Sequence, residues 1–220
     1  MTPSSDQLRD IVAAGVLAPS ADNRHVFKAQ LGDGTIRLWP TPEFMACTER
    51  HRHVLGWLAM GAVVQNMQLQ ARVLGWTPRV EWHEGRAGGA LADLRFEPGE
   101  PSGEPPELAE VMASRCTNRK MYRGPGLTPS EQGALASAVG AESGVTLLWP
   151  DGARRRQLLG MVWLAESERF KRRRLHEELY GSIRFDLGWR DDVPVALAPG
   201  ALEVEAPMRP LFAALGQWRL

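Results

Sequence analysis

The sequence predicts an α+β protein: an antiparallel-dominated sheet with helices packed over it. Three observations predict it. Residues 53–75 carry sustained helical periodicity, residues 26–39 carry a hairpin pattern, and the later runs "PRVEW" and "LADLRFE" read as strands.

The elements follow in order. Residues 5–18 form a helix, because Ser4 and Gln7 have capping-box spacing and Leu8, Ile11, Val12 and Gly15 recur at helical intervals. Pro19 ends it. "VFKAQL" and "TIRLW" flank "GDG", which predicts a β-hairpin over 26–39 with a short glycine-bearing turn. The long helix over 53–75 returns Val54, Leu55, Leu58, Ala59, Ala62, Val63, Met67, Val73 and Leu74 to one face, and Gly75 caps it. "PGEPSGEPP", 98–106, is dominated by proline and glycine and reads as a linker. It separates a first lobe, 1–97, from a second, 107–220. In the second lobe "ELAEVMASR" is helical, and Thr128, Pro129 and Glu131 start another helix with a capping box. "GVTLLW" is expected to be a strand, and 152–185 mostly helix. The last 30 residues show four prolines and no periodicity. Element order thus repeats loosely: helix, strand, long helix.

Composition excludes several classes. Lysine plus arginine equals aspartate plus glutamate at 26 each, so the basic excess of a general nucleic-acid or membrane-surface binder is missing. No apolar run reaches the roughly 20 residues of a membrane span, and "MTPSSDQLRD" lacks the features of a signal peptide. Cys47 and Cys116 make no disulfide framework, so a reducing cytoplasm is the expected compartment.

Two stretches hold residues suited to chemistry. In "SRCTNRKMY", 114–122, Arg115, Thr117 and Arg119 alternate, with Asn118 between. Two guanidinium forks and a hydroxyl suit a phosphate. On spacing alone, a solvated basic patch at a helix end accounts for them as well. In "APSADN", 18–23, Ser20 and Asn23 either cap the chain as it turns into the hairpin or present polar groups to a planar ligand. "CTERHRH" brings Cys47, His51 and His53 close together, but it lacks the second half of a familiar zinc pattern, and a surface segment is the plainer reading. "ARRR", 153–156, and "KRRR", 171–174, are interleaved with glutamates and read as a charged helix face. No acid–base pair stands out, so no catalytic side chain and no metal ligand is assigned.

Taken together, the two stretches resemble the FMN-dependent nitroreductase superfamily. "APSADN" is similar to its flavin-contacting corner, and "RCTNRKMY" followed by "LTPSEQGAL" to its phosphate segment and the helix after it. "GAVVQNMQLQARVLGW", 61–76, looks like its long central helix. The corner precedes the arginines by about a hundred residues, as in the two-lobed branch in which one chain imitates the usual homodimer and can sequester flavin. "LHEELYGSIRF" is also similar to that branch. Where the family pattern has Gln-Pro-Trp, this chain has His25, Val26 and Phe27. The resemblance implies a nitroreductase-like fold with an incomplete second lobe. It implies that Arg115, Thr117 and Arg119 hold the FMN phosphate, with Asn118 among the cofactor-binding positions, while Pro19, Ser20 and Asn23 line the flavin. It further implies an NAD(P)H-dependent oxidoreductase acting on a small nitroaromatic or quinone, and a homodimer that completes the pocket. Two other readings remain beside it: a flavin-binding protein without efficient turnover, and a flavin-free homologue.

Overall fold

Ser4 begins the first helix in the way its spacing predicts. In the computed structural model of the chain, Ser4 Oγ accepts the Gln7 N–H at 3.2 Å and Gln7 Oε1 accepts the Ser4 N–H at 3.0 Å. The structure describes residues 2–83, 89–99, 107–120, 123–140 and 144–218. The chain divides into two compact units: Met1–Thr117 with Asp192–Leu197, and Asn118–Asp191 with Ala198–Leu220.

In the first unit, α1 (Ser5–Val16) buries Leu8, Ile11, Ala14 and Gly15. A Cβ on Gly15 would stand 2.6 Å from Met67 Cε, so glycine permits the close approach of α1 to the long helix. The predicted hairpin forms from β1 (Phe27–Gly32) and β2 (Thr35–Pro40), in register from Phe27↔Pro40 to Gly32↔Thr35. Its two-residue turn needs Gly34 at φ 72°, a left-handed value. A short α2 (Pro42–Met45) follows, its first turn capped by Thr41 Oγ1.

The long helix α3 spans Arg50–Val73, and Gly75 closes it at φ 80°. Its buried face is only partly the predicted one. Ala59, Val63 and Met67 are buried, together with Gly56, Met60, Val64, Leu69 and Ala71, whereas Val54, Leu55, Leu58 and Val73 are exposed. The stripe is turned because Phe44 packs directly on Gly56, where no side chain fits. The helix is then held by Gly15 further along.

Strands β3 (Trp76–Trp82) and β4 (Ala92–Pro98) complete a four-stranded sheet of order β1-β2-β4-β3, antiparallel throughout. Ile36, Leu38, Ala92, Leu94 and Phe96 meet Leu8, Ile11, Met60, Val63, Val64 and Met67 in one core. Alternation places Arg37, Asp93, Arg95, Arg79, Glu81 and Glu97 at the intervening strand positions, where they pair across strands. A fourth helix, α4 (Glu107–Val111), is shorter than the helix predicted over 107–115. The linker expected at 98–106 falls, from residue 100 onward, outside the described residues.

The second unit is helical. Thr128 and Glu131 make the predicted capping box at α5 (Pro129–Gly140), and Asp151 caps α6 (Gly152–Lys171). Helices α7 (Arg173–Tyr180) and α8 (Arg209–Leu215) enclose an aromatic cluster of His176, Tyr180, Phe185 and Phe212. α8 has no counterpart in the sequence reading.

The strand expected at "GVTLLW" does not form. Residues 145–150 have no regular structure, and only Leu147 among them is half-buried. Val145, Leu147 and Trp149 have strand propensity, but a strand needs a neighbouring ladder, and no β-strand is described in this unit. The loose repetition of helix, strand and long helix therefore is not reproduced among the described residues.

Candidate functional site

The corner after α1 is built by local backbone bonds. The N–H groups of Leu17 and Ala18 donate to Ala14 O and Gly15 O, closing the helix before Pro19. Ser20 is extended, and the chain then turns through Ala21–Asn23 with Asp22 at φ 56° and Asn23 at φ 51°. Two successive left-handed residues are tolerated because Asp and Asn are the side-chain-bearing residues best suited to that region.

The three corner residues differ in what they leave available. Pro19 is exposed. Asn23 is occupied: its Nδ2 donates to the carbonyls of Ala196 (3.2 Å), Pro194 (3.4 Å) and Val193 (3.5 Å), and its own carbonyl accepts the Ala196 N–H. It ties Asp192–Leu197 to the first unit. Ser20 is the reverse case. Its Oγ is buried and has no hydrogen-bond partner among the described residues, a condition shared with Trp76 Nε1 and His176 Nδ1. Buried polar groups are normally satisfied, so the unpaired Ser20 hydroxyl is a donor and acceptor open to a ligand or to an ordered water.

The arginine stretch follows the end of α4, where the Arg115 N–H donates to Val111 O. Arg115, Thr117, Asn118 and Arg119 are all exposed and in no regular element. Among the described residues the stretch leads into no helix before Pro129, so none lends it an N-terminal anion site. The boundary between the compact units falls inside it, with Thr117 ending one stretch and Asn118 beginning the other. Asn118 Oδ1 accepts the Lys120 N–H at 3.0 Å. The Arg119 N–H donates to Glu203 Oε2 at 2.7 Å, and its Nη1 donates to Ala201 O at 2.9 Å. Most of its five N–H donors remain for an anion, but the Glu203 carboxylate opposes a second negative charge there.

The chemistry of these groups fits the cofactor that the resemblance implies. The exposed Arg115 and Thr117 side chains carry donors of the kind a phosphate takes, Arg119 spends part of its guanidinium on Ala201 O, and the Ser20 hydroxyl has no partner among the described residues. Asn23 is the exception, since its amide is spent within the fold.

The other candidates resolve into structural roles. Cys47 Sγ donates to Glu49 Oε2 at 3.0 Å, and the His53 ring bonds to Cys47 O and stacks on Phe44. The basic run at 171–174 sits among acids: Lys171 and Arg172 pair with Glu168, and Arg173 with Glu177. One constellation escaped the sequence reading. Asp93, buried on β4, receives Arg37 Nε and Nη2 at 2.6 and 2.7 Å and lies 3.3 Å from His83 Nε2. The bidentate Arg37 bond holds the Asp93 carboxyl below its ordinary range, against the opposing effect of burial. Only the pairing of β2 with β4 brings the two residues together.

These features define a mixed α+β protein with a four-stranded antiparallel sheet and an unsatisfied polar corner. No family model matches the chain, and no curated protein matches it either.

Proposed function

We propose that the chain binds FMN and acts as a nitroreductase-type oxidoreductase, using NAD(P)H to reduce a small electrophilic acceptor such as a nitroaromatic or quinone. The observation that carries this reading is the buried Ser20 hydroxyl. It lacks a partner at the very corner where the sequence resembles a flavin-contacting segment. Bound FMN would supply the redox chemistry itself. The chain's own residues would bind and orient it, with Arg115, Thr117 and Arg119 on the phosphate and Ser20 at the ring. In the first unit α1 and the long α3 share one core, which Ala18 joins just before the corner.

Spectroscopic titration with FMN tests the reading. The wild-type chain should bind FMN with a changed flavin spectrum, and Arg115→Ala should weaken binding by about 1.5–3 kcal/mol, the range for a hydrogen bond to a charged group. A chain that takes up no FMN overturns the proposal. NAD(P)H oxidation with an added acceptor then separates an enzyme from a flavin store. A flavin-free protein is the second reading, favoured by two observations: the consumed Asn23 amide and the Glu203 carboxylate beside Arg119.

A further inference from the structure

Asn23 and Arg119, which the resemblance assigns to the flavin, are both held by one later segment of the chain. In the first unit Asn23 Nδ2 donates to the carbonyls of Val193, Pro194 and Ala196, and the Ala196 N–H donates back to Asn23 O at 3.2 Å. In the second unit the Arg119 N–H and Nη1 donate to Glu203 Oε2 and Ala201 O, and Lys120 Nζ lies 3.9 Å from Glu203 Oε1. These acceptors have the chemistry of a ligand: a carboxylate offers cationic and N–H donors what a phosphate offers, and carbonyls offer an amide what a flavin ring edge offers. The segment is strained where it makes the contacts. Four side-chain-bearing residues among the described ones have a left-handed backbone: Asp22 and Asn23 at the corner, Ala196 (φ 74°) and Glu203 (φ 53°) on the segment. Asp and Asn suit that region, whereas alanine and glutamate do not. Such strain persists only where the surroundings hold it, and it concentrates at ligand clamps and switches. Between the two strained residues Ala198 and Pro199 are buried, while Pro194 and Val195 are exposed. The contacts on either side of that anchor can therefore open locally, without unfolding a core.

We propose, with the flavin reading as premise, that residues 193–203 form an autoinhibitory strap. In the free chain the strap occupies Asn23 and Arg119, and FMN binds by displacing it. The FMN phosphate takes the place of the Glu203 carboxylate at Arg119, and the Asn23 amide is freed when Ala196 lets go. Release relieves the left-handed strain at Ala196 and Glu203, which lowers the cost of opening. The spent Asn23 amide and the Glu203 carboxylate then mark a closed state of the site rather than its loss. Apparent affinity for FMN is the intrinsic affinity reduced by the fraction of chains with the strap released, so a change that tightens the strap weakens FMN binding.

Ala196 distinguishes a strap from a support, because both of its bonds to Asn23 are made by its backbone. Ala196→Gly removes the left-handed strain and should tighten the docked strap about fivefold. FMN titration of the full chain should then give a dissociation constant about fivefold above wild type, although the free variant resists urea better. Ala196→Pro cannot adopt φ 74° and has no N–H for Asn23 O. Its dissociation constant should fall about fivefold below wild type, with circular dichroism confirming that it is folded. Amide hydrogen exchange followed by NMR reads the strap directly: the Ala196 N–H should exchange faster in FMN-saturated wild type than in the free chain. A segment that merely supports the corner gives the opposite pattern, with tighter binding in Ala196→Gly, weaker binding in Ala196→Pro and slower exchange with FMN. That pattern, or FMN binding indifferent to both variants, overturns the strap and leaves the flavin reading standing. No uptake of FMN by the wild type or by either variant overturns the flavin reading, and the strap with it.

Discussion

Ser20 and Asn23 sit three residues apart and do opposite things. The Ser20 hydroxyl is buried and unsatisfied, so it destabilises the folded chain for as long as nothing bonds to it. Ser20→Ala should therefore leave thermal stability unchanged or raised, while weakening FMN binding by about 0.5–1.5 kcal/mol, the net worth of a neutral hydrogen bond. Calorimetric unfolding and FMN titration on the same variant check both halves. A fall in stability would show that the hydroxyl has a partner inside the fold. Asn23, by contrast, spends its amide on three carbonyls of residues 193–196 and holds a left-handed backbone at φ 51°. Asn23→Ala loses both advantages, and the backbone part alone costs about 1–2 kcal/mol. Asn23→Gly loses only the amide. Urea unfolding should rank wild type above Asn23→Gly, and Asn23→Gly above Asn23→Ala.

At the scale of elements, α1 and α3 are positioned by what is missing from two residues. Gly15 lets Met67 approach α1, and Gly56 lets the Phe44 ring lie on α3. Alanine at either position would raise intrinsic helix propensity by about 1 kcal/mol. The nearest obstacle at Gly15 is the tip of a flexible methionine, 2.6 Å from the added Cβ, which can swing aside, while Met67 Cγ at 3.0 Å and Val63 Cγ1 at 3.3 Å need give only by tenths of an ångström. At Gly56 it is the body of an aromatic ring that also stacks on His53 and meets Trp57 edge-on, so it has nowhere to go. Gly15→Ala should change stability little, whereas Gly56→Ala should destabilise by about 1–3 kcal/mol, the usual cost of overpacking. Equal effects in denaturant unfolding would contradict this packing.

For the whole molecule, acid is the condition that tests the sheet. Asp93 is ionised and bonded to Arg37 across β2 and β4, with its carboxyl held below its ordinary value of 3.8. A carboxylate with a lowered folded value contributes stability that is complete above the unfolded value and is lost as pH falls through the folded one. Chemical unfolding should show a loss below about pH 4 that is reduced in Asp93→Asn, which starts from lower stability at neutral pH. An unchanged acid limb in that variant would show that other carboxylates govern acid unfolding. The second unit has a different basis. His176, Tyr180, Phe185 and Phe212 form its centre, with Arg209 over Trp189 at 4.9 Å. Its helices α5 and α6 bury no residue.

What the chain alone determined was local. The Ser4–Gln7 and Thr128–Glu131 boxes, the Gly34 turn, the Gly75 cap and the α+β class were all legible, because each depends on neighbours within a few positions or on a simple period. What the tertiary structure decided was contact between distant parts. It turned the buried face of α3, because Gly56 and Gly15 answer to Phe44 and Met67 rather than to the apolar period. It left "GVTLLW" without a strand, because a strand exists only with a ladder beside it. It joined Arg37 to Asp93, bound Asn23 to residues 193–196, and left Ser20 Oγ unpaired. A hydrogen bond between residues 56 or 173 positions apart leaves no periodic trace in sequence, so only the folded chain can show whether a polar group is spent or still available.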